Sequence, residues 1–462
     1  MRLASLLASA ALALVALPVA AQDMPATPGG REALDILKEA IAVPTVAGRG
    51  QVPALAVKFS ARLMEAGFSP SDIVFVRMGE TGYFTARYPG RDRKAKPILV
   101  IGHMDVVEAN PAEWRRDPFT PVVENGYVFG RGASDNKGDI AMMLAAMLKL
   151  KRTGWVPARD LILAFSGDEE TGMVTTRAMA ETLKNAELVL NVDAGGGELG
   201  ADGLPFVYGI QAGEKTYLDL ELAIADAGGH SSRPGETNAI AAMSSALVKV
   251  WEHRFAPQVS PLTRAYWQGT AARAPADVAA AMRAFAANPN DAAAAALLSG
   301  RPEYVGVVRT TCVPTLISGG HAPNALPQSV RANVNCRVFP GTSQQAVKGV
   351  ITGVIADPDI TIAFGDDSGV EAPRSPLRPD VLTAVEKAVH ARAPGLAIVP
   401  QMSAGATDSM YFRARGLPAY GIAATFIKAE DDIAHGLNER LPLATIDPGV
   451  AQYETLLRTI AK

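Results

Sequence analysis

Five short stretches hold the residues that could do chemistry: GHMDVV, GASDNKGD, SGDEETG, NVDAGG and DIAHGLNE. Between them they offer His103, Asp135, the adjacent pair Glu169 and Glu170, Asp193 and His435. A solvated loop needs neither an imidazole nor a fixed spacing, whereas a metal site needs both. Two histidines and three carboxylates are nitrogen and oxygen ligands suited to a pair of divalent ions. One carboxylate can bridge the two ions, with a water between them as nucleophile. Taken singly, each stretch has a blander reading. A histidine after a strand is usually structural, and an acidic triplet in a loop is usually a solvated surface. The combination points to a metal centre.

Spacing then separates the roles. His103 and Asp105 are two apart, and in extended chain such residues face the same way. Asp105 is therefore expected to accept a hydrogen bond from the His103 ring and fix its tautomer. Glu169 and Glu170 are adjacent, so in extended chain they face opposite ways. One can bind metal while the other faces substrate as a general base, later giving the proton to the leaving amine. Asp168 makes three acids in a row, a cluster that would repel itself without cations. His253 and His390 fit no such pattern and read as ordinary surface or core residues.

Strands and helices must bring these residues together. PILVIG, LILAFS and ELVLNV are short, continuously apolar runs, as in strands buried on both faces. GHMDVV, SGDEETG and NVDAGG follow them directly. In a parallel sheet, ligand sites collect at the carboxyl ends of strands, so residues far apart in sequence converge. IVFVRM and GYFTARY read as further strands, and VKFSARLMEAG as a helix. GDIAMMLAAMLKLKRTG has Ile140, Met143, Leu144, Met147 and Leu148 at helical spacing and ends at Gly154. The fold class is α/β: a catalytic domain with a mostly parallel central sheet and helices on both faces.

At Gly213 the texture changes. KTYLDLELAIAD alternates apolar and polar residues, a strand with one exposed face. The β-α-β-β-α-β order that follows reads as a small inserted α+β domain. The expected organisation is catalytic domain over 22–212, inserted lid over 213–368 with an extra helical segment at about 256–303, and catalytic domain again over 369–462.

Composition bounds the partners. The chain has 462 residues, too many for one ordinary core, with 48% hydrophobic residues, 20% charged residues and a net charge of -3. No basic patch speaks for nucleic acid. Residues 1–21 read as a secretory signal peptide: Arg2, then the apolar LASLLASAALALVAL, then small residues before a cut near Ala21-Gln22. The apolar run is short for a membrane span. An exported mature protein is expected, free of the membrane after cleavage and periplasmic in a host with two membranes. Cys312 and Cys336, an even pair in an exported chain, are a disulfide candidate; two buried thiols are the other reading.

With these motifs in order, the chain resembles the di-zinc exopeptidase and aminoacylase family. That family includes glutamate carboxypeptidase, carboxypeptidase S, carnosinase-like dipeptidases and succinyl-diaminopimelate desuccinylase. The resemblance covers nearly all the mature chain and rests on GHMDVV, GRGASDNKGD, SGDEETG, NVDAGG, GGHSSRPGETNA, GGHAPNALP, SAGATDS and AHGLNE. It implies that His103, Asp135 and Asp193 hold one Zn2+ and that Asp135, Glu170 and His435 hold the other, with Co2+ or Mn2+ as substitutes. It implies Glu169 as general base and Asp105 as the residue that orients His103. It implies a lid that also forms a homodimer, with His230 stabilising the tetrahedral oxyanion, often in the partner subunit's site. Asn324 and Arg337 match substrate-contacting lid residues, Arg337 for a free carboxylate, and Gly405 matches a pocket-lining loop.

The activity so implied is that of an exported zinc carboxypeptidase or dipeptidase. It would cleave amide bonds next to a free C-terminal carboxylate, through a metal-bridging hydroxide and a Glu base. The alternative is an N-acyl amino acid amidohydrolase, aminoacylase-like or desuccinylase-like. A biosynthetic desuccinylase fits less well, because its substrate is cytoplasmic. A non-catalytic binding protein on this fold would usually lack a ligand or the base, and here none is missing.

Overall fold

The computed structural model describes residues 24–366 and 368–462. The signal-peptide stretch lies outside them. No helix among the described residues is long and apolar enough to cross a membrane.

The large sheet is built around four parallel strands, in the order Leu161–Ser166, Ile98–His103, Leu188–Asn191 and Ala419–Gly421. All six residues of Ile98–His103 are buried, as its unbroken apolar run requires. Antiparallel strands Thr81–Tyr88 and Ile73–Met78 extend one side. Pro205–Glu214, Gly196–Leu199 and Phe426–Lys428 extend the other, with Ile398–Ser403 branching off Pro205–Glu214.

Alternate side chains of the central strands enter different cores. Ile98 and Val100 join Leu161, Leu163 and Phe165 under helices Pro28–Ile41, Lys137–Arg152 and Ile446–Ile460. Leu99 and Ile101 join Ala164 and Val189 under helices Val174–Thr182 and Ser409–Ala414. The expected parallel sheet with helices on both faces is met.

The second sheet is smaller and wholly antiparallel, in the order Thr311–Gly319, Ser329–Val338, Thr216–Ala225 and Thr361–Phe364. One of its faces packs on helices Ala239–Glu252 and Gln344–Ile355 through Leu220, Val334, Met243 and Ile351, a core of its own. Cys312 and Cys336 are opposite each other in register and are disulfide-bonded, which decides between the two readings of that pair.

The extra helical segment forms four helices: Pro261–Ala271, Ala276–Ala287, Ala292–Ser299 and Pro302–Val308. Chain order groups them with the lid, but their packing does not. Leu262, Trp267, Met282 and Phe285 join the core of the first sheet. Helix Pro261–Ala271 lies along the branch strand, where Gly269 meets Val399 so closely that a Cβ would be 3.0 Å from its methyl. Periodicity marks which face of a helix is apolar, not which surface covers it.

Candidate active site

Register explains why the ligand residues converge. His103 lies opposite Ser166, and Ile101 lies opposite Asn191. Parallel strands end on the same side, so His103, the 168–170 turn and Asp193 emerge at one rim. The 130–135 loop and the 434–439 loop close over that rim.

Two imidazoles meet the carboxylates there. His103 Nε2 lies 3.0 Å from Asp135 Oδ1 and 3.4 Å from Asp193 Oδ1. His435 Nε2 lies 3.1 Å from Asp135 Oδ2 and 3.0 Å from Glu170 Oε1. Asp135 thus turns one oxygen to each imidazole. The candidate ligand atoms of His103, Asp135 and Glu170 all lie within 4.8 Å of one another. Glu169 is buried beside them.

The electrostatics also fit cations. A cavity of about 580 Å³ surrounds the cluster, and its lining includes Asp135, Glu169, Glu170, Asp193, Glu198 and Asp432 but no Lys or Arg. Burial, with Asp193, Asp408 and Glu170 nearby, pushes Glu169 well above the usual carboxylate range. Burial lifts Asp193 to about 7. Burial opposes charge on His103, yet Asp193 and Asp135 outweigh it and hold that ring well above its ordinary value. Hydrogen bonds to Asp135 and Glu170 raise His435 to about 10. This is a set of nitrogen and oxygen donors in which carboxylates crowd one another, the chemistry two divalent ions would satisfy.

Buried polar groups hold the loops in place, and here one sequence expectation is corrected. The His103 ring is oriented by a backbone carbonyl: Nδ1 is 3.0 Å from Asp105 O, whereas the nearest Asp105 carboxylate oxygen is 3.7 Å away. The Asp105 carboxylate instead accepts the backbone N–H groups of Glu169 at 3.1 Å and Glu170 at 3.0 Å. It therefore positions the turn that carries both glutamates. That turn is not extended chain, so the opposed-faces argument for Glu169 and Glu170 does not apply to it. Asp168 is also satisfied locally, accepting the N–H of Val174 at 2.7 Å and of Thr175 at 3.0 Å at the start of helix Val174–Thr182.

Four further residues brace the site and escaped the sequence reading: Glu439, Arg131, Asn136 and Asp408. Glu439, fully buried, accepts the backbone N–H groups of Gly132, Ser134 and Asp135, and pairs with Arg131 at 2.7 Å. Arg131 also donates to the carbonyl of His435, whose φ of 63° is unusual for a non-glycine residue. Asn136 receives the His103 N–H and donates to Val192 O, tying two strand ends to the loop. Asp408 accepts from Ser166 and Thr176 hydroxyls beneath the same rim. All four lie inside the quoted motifs, GRGASDNKGD, AHGLNE and SAGATDS, and that position was their only signal.

The second sheet contributes unequally. Arg337 and Gly405 line a cavity of about 630 Å³ together with Glu169, Glu170 and His435. The Arg337 guanidinium stacks 4.7 Å over the Tyr217 ring and makes no ion pair among the described residues. His230 and Asn324 come together with each other: strand Gly229–His230 pairs with Ala325–Leu326, and Ser231 N–H reaches Asn324 O at 3.0 Å. Within one chain neither residue lines the cavities around the cluster.

A nitrogen and oxygen ligand cluster at parallel strand ends, with a buried carboxylate beside it, defines a metallohydrolase. The chain belongs to peptidase family M20/M25/M40, whose model matches residues 99–459. It is 24% identical over 398 residues to a probable carboxypeptidase S-like protein of Dictyostelium discoideum, covering 81% of this chain and 74% of that one. It is 26% identical over 449 residues to an N-fatty-acyl-amino acid synthase/hydrolase of Homo sapiens, covering 92% and 86%. Among solved structures, an M20 family metallo-carboxypeptidase from Sulfolobus solfataricus superposes with a TM-score of 0.71 at 20% identity, covering 93% of this chain and 99% of that one. A dinuclear metal binding peptidase of the M20 family from Bacillus subtilis gives 0.59 at 13% identity, covering 94% and 98%. These structural likenesses concern the fold.

Proposed function

We propose that the protein hydrolyses the amide bond joining an acyl or peptidyl group to an amino acid with a free carboxylate. The observation that carries this is the cavity shared by Glu169, His435 and Arg337. It sets a general base and a guanidinium that makes no ion pair among the described residues on one substrate-sized space, as a substrate with a scissile amide beside a carboxylate requires.

His103, Asp135 and Asp193 would hold one metal ion, and Asp135, Glu170 and His435 the other, two Zn2+ with Co2+ or Mn2+ as substitutes. When bound, the ions polarise the amide carbonyl and make water acidic enough to attack at neutral pH. Glu169 takes a proton from the attacking water as the C–O bond forms. It delivers that proton to the amine nitrogen as the C–N bond breaks. Asp105 holds Glu169 and Glu170 in position through their backbone N–H groups. Arg337 binds the carboxylate of the departing amino acid by charge-assisted hydrogen bonds. Gly405 lines the same space without a side chain. His230 and Asn324 complete the site from a second copy in a homodimer formed through the lid, the role that keeps them useful at their distance from the cluster. Export through the 1–21 segment belongs to the same reading.

Dipeptides and carboxypeptidase substrates are the first class to assay. N-acyl amino acids are the second, favoured by the N-fatty-acyl-amino acid relatives. The test is a panel of both classes, each with free and amidated C-termini. Cleavage confined to free carboxylates supports the proposal. Equal rates on amidated substrates would remove Arg337 from its role.

A further inference from the structure

The four-helix segment that packs on the first sheet encloses a space of its own. A cavity of about 300 Å³ lies between helices Pro261–Ala271 and Pro302–Val308 and strands Pro205–Glu214 and Ile398–Ser403. Its wall is mainly apolar, with Phe206, Val207, Tyr266, Tyr304 and Val399, and the charged residues Arg273 and Glu303 also line it. It shares Glu198 and Gln401 with the cavity around the metal-ligand cluster, so the two spaces adjoin.

Three features make this a built compartment. First, its walls are stiff: Trp267, fully buried, stacks edge-on against Tyr266, Phe285 and Tyr304. Second, the passage depends on a glycine. At Gly209 a Cβ would lie 2.6 Å from the Gln401 amide, so the bare backbone lets Gln401 lie flat on the strand at the junction. Third, the direction is right. Arg337 lies in the other cavity, so an amino acid held there by its carboxylate points its acyl side across the cluster, toward Glu198 and Gln401. Glu198 stands at this junction, where burial lifts its carboxyl above the usual carboxylate range and so reduces the charge beside a passing chain.

We propose that this compartment receives an extended apolar acyl group and makes N-acyl amino acids with long acyl chains the preferred substrates. The inference rests on the amide hydrolysis proposed above and adds to it the identity of the acyl-side pocket. The preference arises because each methylene moved from water into the apolar compartment contributes a roughly constant increment, equivalent to about a fourfold gain when fully buried.

The experiment measures kcat/KM on acetyl, octanoyl and dodecanoyl derivatives of one amino acid, with the metal-loaded full chain. A dipeptide of the same amino acid is included. Wild type should gain at least tenfold from acetyl to dodecanoyl. Thr270→Trp and Val207→Trp fill the compartment from two different elements, and neither residue belongs to the catalytic cluster. Each should erase at least tenfold of that gain while keeping the acetyl rate within about twofold, which also certifies the fold. A flat chain-length profile in wild type, or a gain that survives both fillings, would overturn the compartment while leaving amide hydrolysis standing. Cleavage of the dipeptide alone would overturn it in favour of a peptide substrate. No chelator-sensitive release of amino acid from any substrate would overturn the proposed function, and the compartment with it.

Discussion

The two sheets solve different problems. At the rim of the first sheet, residues more than 300 apart in the chain are fixed by buried charge-assisted bonds, with Glu439 gripping three backbone N–H groups and Arg131. The second sheet has a separate core and sends a single guanidinium, Arg337, into the space beside the cluster. The cluster needs sub-ångström constancy, because ligands must meet ions at fixed distances. Substrate capture tolerates, and in a lid benefits from, movement between units. Lys215 is one of the places where the chain passes between the two units, between strands Pro205–Glu214 and Thr216–Ala225. The comparison separates a unit whose buried ion pairs and hydrogen bonds hold the cluster from a unit that places Arg337 beside it.

Four substitutions would break or sharpen that comparison. Glu169→Gln has the largest expected effect: kcat should fall by about 10² to 10⁴-fold with metal content unchanged. Loss of metal from this variant would show that Glu169, not Glu170, is the ligand. Arg337→Met should lower kcat/KM for free-carboxylate substrates by about 10- to 100-fold, the worth of a hydrogen bond to a charge. Rates on amidated substrates and metal content should stay as they are. If metal content dropped as well, the second sheet would be part of the cluster's scaffold and the contrast would dissolve.

Asp105→Asn tests the rigid side from within. It replaces one acceptor oxygen with a donor beside the Glu169 and Glu170 N–H groups, and should weaken metal affinity by about 10- to 100-fold. Isothermal titration with Zn2+ reads this directly, and wild-type affinity would mean the turn holds itself. Lys215→Met tests the joint and has the smallest effect. Burial, with Arg337 adding to it, lowers the Lys215 pKa to about 7. The unfolded chain then binds more protons than the folded chain between about pH 7 and 10. Wild-type stability should therefore rise relative to Lys215→Met across that window, by at most about 1.4 kcal/mol per pH unit. Chemical denaturation at pH 6.5 and 9 would reveal it, and a constant gap would place Lys215 in a charged, hydrated state.

The parallel sheet and the residues at its strand ends were legible in the sequence. Continuous apolar runs announce strands buried on both faces, and the polar residues that follow such runs announce the rim. The braces were not legible. Glu439 and Arg131 matter through pairings across more than 300 residues, which neither periodicity nor local spacing records. Asp105 stood out in the sequence, but the groups its carboxylate bonds to did not. The i, i+2 rule holds for extended backbone, and the chain leaves the strand at His103, so the carbonyl rather than the carboxylate reaches the ring. Asp168 looked like part of an acidic cluster, yet its oxygens accept the first N–H groups of helix Val174–Thr182. The 256–303 segment was legible as helices, whereas its partner surface depends on a branch strand that lies about 100 residues further on.

The measurement that tests the central claim most directly joins metal content to turnover. Purified protein is analysed for bound metal and assayed on free-carboxylate dipeptides and N-acyl amino acids. Both measurements are repeated after exhaustive chelation, and again after Zn2+ is restored. The account expects about two ions per chain, turnover abolished with their removal, and recovery on reconstitution. Full turnover by a metal-free chain would contradict it.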